Sequence, residues 1–307
     1  MLYLHLGAHK TATTFLQNVL MSNEKELSQR GVQRLKIRAR HLFWHLYRDG
    51  DRDAYVQRRR AFGRKIKQFE AAGGHGIFSS ETMFGTSDLA EVECLYPKAD
   101  QALKTLATLT DGMDRKVVFY IRRQDDFIES TFINRIQTLA TSLHLDHKSL
   151  LKDDSWHDFP SYLKTFDPAC LSWLELIERM AHYFGPENLI IRPFESIRRG
   201  KAAYASAFLA PVCPELEGLS LAPNVYANHS FSAPALKAFL TQARQQEYKH
   251  LKTLRLQLQE TYPNTKYPRP KLLTEIQKQQ IMDLHKAENA KLFERFIAPE
   301  DQIYAYS

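Results

Sequence analysis

The chain has 307 residues, of which 44% are hydrophobic and 25% charged, with a formal net charge of +7. That balance argues against wholesale disorder and supports a sizeable core. The positive excess favours an anionic partner: a polyanionic cofactor, an acidic substrate, or a membrane or nucleic acid surface, between which charge alone does not choose. The cysteines, Cys94, Cys170 and Cys213, are far apart in the sequence with no C-x-x-C pair, which argues against a disulfide framework or a cysteine-built zinc or redox site. The opening MLYLHLGAHK lacks a charged leader and a long apolar stretch, and no run of about 18 apolar residues occurs, so the expectation is a cytoplasmic protein without a signal peptide or transmembrane segment.

In chain order, a strand is expected at residues 2–6, then a helix over 14–29 with apolar Phe15, Leu16, Val19, Leu20 and Leu27. A basic, solvated helix is expected over 53–72, followed by strands at 76–79, 116–121 and 189–192. Helices are expected over 126–139, after the third strand, and over 171–184, before the fourth. The strand segments are β-branched or aromatic and lack clean alternation, as suits parallel strands covered on both faces. Strands alternating with helices predict an α/β fold, a P-loop-like doubly wound parallel sheet flanked by helices. Beyond it come a long polar helix over 233–258, a loop with three prolines over 262–270, and a helix over 272–296. The simplest organisation is a single domain over 1–307, with an α/β core (1–195) and a mainly helical C-terminal region (196–307).

Where the first strand should end, the sequence reads Gly7-Ala8-His9-Lys10-Thr11-Ala12-Thr13-Thr14 and passes into a helix. Strand, tight loop and helix together bind phosphate, because free backbone N–H groups and the positive end of the helix dipole face the anion. Lys10 adds a mobile charge, and Thr11, Thr13 and Thr14 add hydroxyl donors. A nucleotide P-loop of the kinase or ATPase kind places four residues between its first glycine and a Gly-Lys pair. Here Lys10 follows Gly7 by three positions and no glycine precedes it, a poor match. A second anion-binding pattern follows the third strand. Arg122 stands at the strand end and Ser130 eight residues later, able to offer a guanidinium fork and a hydroxyl. A competing local pairing joins Arg122 to Asp125. At the end of the second strand, Ser79-Ser80-Glu81 supplies a carboxylate at the same edge of the sheet.

The order Lys-Thr-x-Thr-Thr resembles the 5′-phosphosulfate-binding loop of sulfotransferases that use 3′-phosphoadenosine-5′-phosphosulfate (PAPS), and the surrounding Leu-Gly-x-His and Phe-Leu-Gln are similar to bacterial members that modify saccharides or lipids. The resemblance covers roughly residues 1–195. It implies transfer of a sulfonate from PAPS to a hydroxyl or amine, with 3′-phosphoadenosine-5′-phosphate (PAP) released and no metal. It implies that Gly7, Lys10, Thr11, Ala12, Thr13 and Thr14 hold the 5′ end of the donor, and that Arg122 and Ser130 hold its 3′-phosphate. Glu81 is then the general base and Lys10 the group that neutralises the departing phosphate, with His9 a competing candidate for the base. The expected partner is a saccharide or glycolipid acceptor, with peripheral membrane contact as an accompaniment and no nucleic acid. Two departures stand out. Ala12 occupies the usual glycine position, where alanine pays a steric penalty if a positive φ is needed and is harmless in the first helical turn, the favoured reading, and Gln124 replaces a frequent proline.

Alternatives remain: a P-loop-like kinase using ATP, and a non-catalytic module for an anionic ligand. His41 and His45, four apart, have a metal-compatible spacing but no third ligand. Arg58, Arg59 and Arg60 with Arg64 and Lys65 form a charged helix surface that would suit an acidic acceptor. The Asn-x-Ser segment at 226–230 is similar to segments that follow the core in related bacterial sequences.

Overall fold

The computed structural model describes all residues except 37–51, 86–87, 91, 140–157, 215–219, 222–229, 244, 246–247 and 307. His41, His45 and most of the 226–230 segment lie outside the described residues.

Five parallel strands form one sheet: β1 Leu2–His5, β2 Val32–Arg34, β3 His75–Ser79, β4 Arg115–Ile121 and β5 Leu189–Pro193, in the order β2-β3-β1-β4-β5. The fold is therefore the expected α/β sheet flanked by helices. Strand periodicity divides the core into two layers. Leu2, Leu4, Phe78, Val117, Phe119 and Ile121 point to one face, and Tyr3, Ile77, Val118 and Tyr120 to the other. The second face is covered by α1 (Thr13–Ser22), α2 (Glu24–Gln29) and a later helix, Lys201–Leu209, through Leu16, Val19, Leu20, Leu27, Tyr204 and Phe208. The first face receives α3 (Arg52–Ala72), α4 (Ala99–Leu109), α5 (Gln124–Leu139), α6 (Phe159–Leu163) and α7 (Trp173–Phe184). In chain order, Lys201–Leu209 is α8, and α9 (Ala233–Ala243), α10 (Tyr248–Thr261) and α11 (Glu275–Phe296) make up the helical C-terminal region.

Several expectations change in detail. The helix expected over 14–29 is two helices, broken at Asn23, whose side chain donates to the Val19 and Ser220 carbonyls instead of letting the helix continue. The helix expected over 233–258 is also two, α9 and α10. Strand β2 carries little sequence signal, because only Val32 in it is buried and it pairs on one side alone. Helix α4 carried a readable signal, buried Ala99, Ala102, Leu103 and Leu106 at helical spacing. The boundaries of α7 and α11 follow capping chemistry: the Ser172 hydroxyl accepts from the Glu175 N–H, and Thr274 and Gln277 form a reciprocal capping box.

Helix α11 docks on α5 through buried polar pairs. Gln124 and Asn289 exchange hydrogen bonds of 3.0 and 3.3 Å, and the Glu129 carboxylate accepts from the Leu272 and Leu273 N–H groups. The helical region is thus attached to the helix that carries Ser130. Among the described residues no helix is long and apolar enough to cross a membrane.

Candidate active site at the carboxyl edge of the sheet

The chain leaves β1 toward β2 and β3 on one side, and leaves β4 toward β5 on the other. Adjacent strands whose connections diverge open a crevice at their carboxyl ends, where α/β sheets hold ligands. Residues 7–14 follow β1 and residues 122–130 follow β4, so both anion-binding patterns flank this crevice.

The cradle is a tight turn with two left-handed residues, Lys10 (φ 64°) and Ala12 (φ 59°). Ala12 is therefore not in the first helical turn. It is the N-cap of α1, and its carbonyl accepts the first helical bond, from Leu16 N. The physical reason is reversal of the chain: the backbone must turn before Thr13 can begin the helix, and a left-handed residue does this in one step. An L-residue with a Cβ pays about 1–2 kcal/mol there. The turn is braced internally by Thr11 Oγ1 donating to the Ala8 carbonyl (2.6 Å), and from outside by Tyr204 Oη donating to the Thr11 carbonyl (3.0 Å).

Gly7 is needed for space rather than for an unusual φ. A Cβ on it would meet Thr13 Oγ1 at 2.6 Å and His5 Nε2 at 3.2 Å. Both of those atoms are buried without a hydrogen-bond partner. Buried polar atoms are almost always paired in a folded protein, so an orphaned donor beside a helix N-terminus suits an anion or water arriving there.

The arginine side is built by contacts distant in sequence. Arg122 Nη1 donates to Ser130 Oγ and to the Lys10 carbonyl, each at 3.0 Å. The two patterns therefore touch. Ser130 lies deeper in its helix than about one turn, at the seventh residue of α5, where it faces Arg122. The competing pairing falls to the neighbour: Arg123 binds Asp125 with two 3.1 Å bonds, while Arg122 Nη2 stands 4.0 Å from Asp126. The Arg122 guanidinium lies 4.8 Å from the Phe194 ring centroid and its Nε has no partner. Burial pushes its pKa down, the Asp126 and Glu195 carboxylates pull it back up, and Arg269 adds a smaller like-charge repulsion.

Lys10 Nζ donates to Asn134 Oδ1 at 2.9 Å, one helical turn beyond Ser130 on α5. Burial lowers the Lys10 pKa to about 8; the Glu81 carboxylate raises it and the Arg122 charge lowers it further. Burial raises the Glu81 pKa, against the opposing pull of Lys10. No hydrogen bond or ion pair joins Glu81 to another described residue. It is a half-buried, comparatively basic carboxylate near a lysine and the cradle, as a general base requires. His9 differs. It is buried, its pKa is lowered to about 3 by burial and by Lys10, and its Nδ1 lies 3.0 Å from Tyr96 Oη, which also accepts from the His9 N–H. His9 stays neutral and clamped, shaping the turn.

The site also contains residues that the sequence did not announce. His5 Nδ1 lies 2.8 Å from Ser79 Oγ, and Gln17 donates to the same hydroxyl at 3.2 Å, joining β1 and α1 to the strand that leads to Glu81. Asn134 had one available signal, its position four residues after Ser130 on one helix face. Tyr96, Phe194 and Arg269 had none, because each reaches the site from a distant part of the chain. Arg64 is exposed on α3, and Lys65, also exposed there, donates to the Lys36 carbonyl. Among the described residues no group of three His, Cys, Asp or Glu side chains is placed to hold a metal ion.

No protein-family model matches the chain, and no curated protein matches it. Among solved structures it is similar to a sulfotransferase from Alicyclobacillus acidocaldarius, at 17% identity over 84% of this chain and 94% of that one, with a TM-score of 0.38. It is also similar to the sulfotransferase domain from the curacin biosynthetic pathway, at 12% identity over 93% of this chain and 97% of that one, with a TM-score of 0.36.

Proposed function

We propose that this protein is a sulfotransferase that moves a sulfonate group from PAPS to a hydroxyl or amine of an acceptor, with a saccharide or glycolipid as the favoured class. The observation that carries this is the meeting of the two anion-binding patterns, Arg122 Nη1 bonding at once to Ser130 and to the Lys10 carbonyl. A nucleotide with phosphates at both its 5′ and 3′ positions needs two such poles close together, and an ordinary nucleoside triphosphate needs only the first.

In this proposal the Gly7–Thr14 loop binds the 5′-phosphosulfate through backbone N–H groups, Thr13 Oγ1 and the N-terminus of α1. Arg122 and Ser130 bind the 3′-phosphate. Glu81 accepts the acceptor proton as the acceptor oxygen or nitrogen attacks sulfur. The bond from sulfur to the bridging oxygen breaks, and that oxygen leaves on the 5′-phosphate of PAP. Lys10, whose ammonium is free to leave Asn134, neutralises the charge gathering there. The raised pKa of Glu81 brings it toward neutral pH, where accepting a proton is less costly. The charged surface of α3 suits an acidic acceptor.

Calorimetric titration with PAP, with ATP as the control, tests the reading. PAP binding in preference to ATP, followed by sulfonate transfer from PAPS to a saccharide panel, is the expected result. Tight magnesium-dependent binding of ATP without binding of PAP would point to the kinase alternative and end this proposal.

A further inference from the structure

Strand β4 ends at Ile121, so the backbone of Arg122 and Arg123 has left the sheet ladder and must be held by something else. Two side chains hold it. Trp173 Nε1 donates to the Arg122 carbonyl at 2.6 Å, and the Arg123 N–H donates to Glu195 Oε1 at 3.1 Å. Glu195 lies in the 3-10 turn Phe194–Arg199 that follows β5, next to the ring under the Arg122 guanidinium. It is 4% exposed, so its second oxygen also needs a donor, and Tyr306 Oη supplies one at 2.6 Å. Tyr306 is itself buried, with its ring 5.0 Å from Phe293. It follows the turn Pro299–Tyr304, where fully buried Asp301 pairs at 3.1 Å with both Arg192 and Arg199.

We propose that Glu195 and Tyr306 are positioning residues for the 3′-phosphate pole, with Tyr306 orienting the carboxylate that holds the Arg122–Arg123 backbone, so that a residue more than 180 positions away aims Arg122. This rests on the sulfotransferase reading of the site. Without the Tyr306 hydroxyl, one oxygen of a buried carboxylate is left unsatisfied. Burial already raises the Glu195 pKa, and the Tyr306 hydrogen bond opposes that rise. A carboxyl group that protonates or rotates releases the Arg123 N–H, and the guanidinium loses its fixed direction. The cradle shares no hydrogen bond with Glu195 or Tyr306; it meets this pole through the Arg122 bond to the Lys10 carbonyl, and it keeps its own Thr11–Ala8 and Tyr204–Thr11 bonds when Arg122 shifts, so the 5′ pole is affected far less.

The test compares PAP with adenosine 5′-monophosphate, which lacks the 3′-phosphate, by calorimetry on the wild-type chain and on Tyr306→Phe, Glu195→Gln and Tyr304→Phe. Loss of one hydrogen bond to a charged group predicts that Tyr306→Phe weakens PAP about tenfold and leaves the monophosphate within about twofold. Glu195→Gln should follow the same pattern. Tyr304→Phe, which loosens the same turn by removing its bond to Arg199, should leave the ratio unchanged. An unaltered ratio in Tyr306→Phe, or parallel losses for both ligands with a lowered melting temperature, would overturn the proposal and leave Tyr306 a packing residue. A wild-type chain that fails to prefer PAP over the monophosphate would instead overturn the underlying sulfotransferase reading, before any variant is made.

Discussion

The two poles of the site are built differently. The turn at residues 7–14 is mostly local: strand, two left-handed residues, an internal Thr11–Ala8 bond and a helix start lie within eight positions. The arginine pole is assembled from afar, with Trp173 and Glu195 holding its backbone, Phe194 beneath its guanidinium and Tyr306 behind Glu195. A local turn keeps its shape largely through its own hydrogen bonds, which hold it against the strain of its left-handed residues, whereas an assembled pole depends on the packing of many distant segments. Damage to the first should therefore affect one group of ligand atoms, and damage to the second should be transmitted through the scaffold.

The largest expected effect separates chemistry from both poles. Glu81→Gln should lower kcat by roughly 10²–10⁴-fold while PAP affinity stays within about threefold, read by turnover assays beside calorimetry. Lys10→Ala should lose both turnover and 5′-end affinity, because that lysine belongs to the cradle and to the departing charge. Next, Arg122→Ala should weaken PAP by about 30–100-fold and the 5′-monophosphate far less, which tests whether the poles divide the nucleotide as proposed. Equal losses for both ligands would merge the two poles into one.

A smaller effect follows from pH. The Lys10 pKa is lowered to about 8, and a bound anion favours the ammonium form, so binding takes up a proton above that value. PAP affinity should be level between about pH 7 and 8, above the second ionisation of the ligand's phosphates, and fall as pH rises beyond it. Lys10→Arg, which keeps its charge, should flatten that fall. The smallest effect concerns the strain in the turn. Ala12→Gly should raise stability by roughly 0.5–1 kcal/mol, since glycine accepts the left-handed conformation without a Cβ penalty, seen as a higher melting temperature. A loss of stability would mean that the turn does not keep Ala12 left-handed.

Much of the cradle was legible because its components are neighbours in sequence. Gly7, Lys10, the threonines and the helix start all lie within a few bonds of one another, and β1 and β4 announced themselves as continuous apolar runs. The conformation of Ala12 was not legible, because alanine favours a helix intrinsically and only the reversal of the chain at the sheet edge overrides that preference. The break at Asn23 escaped for a similar reason, since one of its partners is the Ser220 carbonyl from a remote segment.

Residue order alone pointed to the α/β class and to strand ends as the places of Lys10, Arg122 and Glu81, because periodicity, turn chemistry and spacing act over short stretches of chain. Tertiary packing decided that Arg122 reaches Ser130 and the Lys10 carbonyl, that His9 is clamped by Tyr96, and that Tyr306 stands behind Glu195. Those outcomes depend on strand order and on burial, and a change of dielectric or the closing of a long loop is a property of the folded whole rather than of any segment.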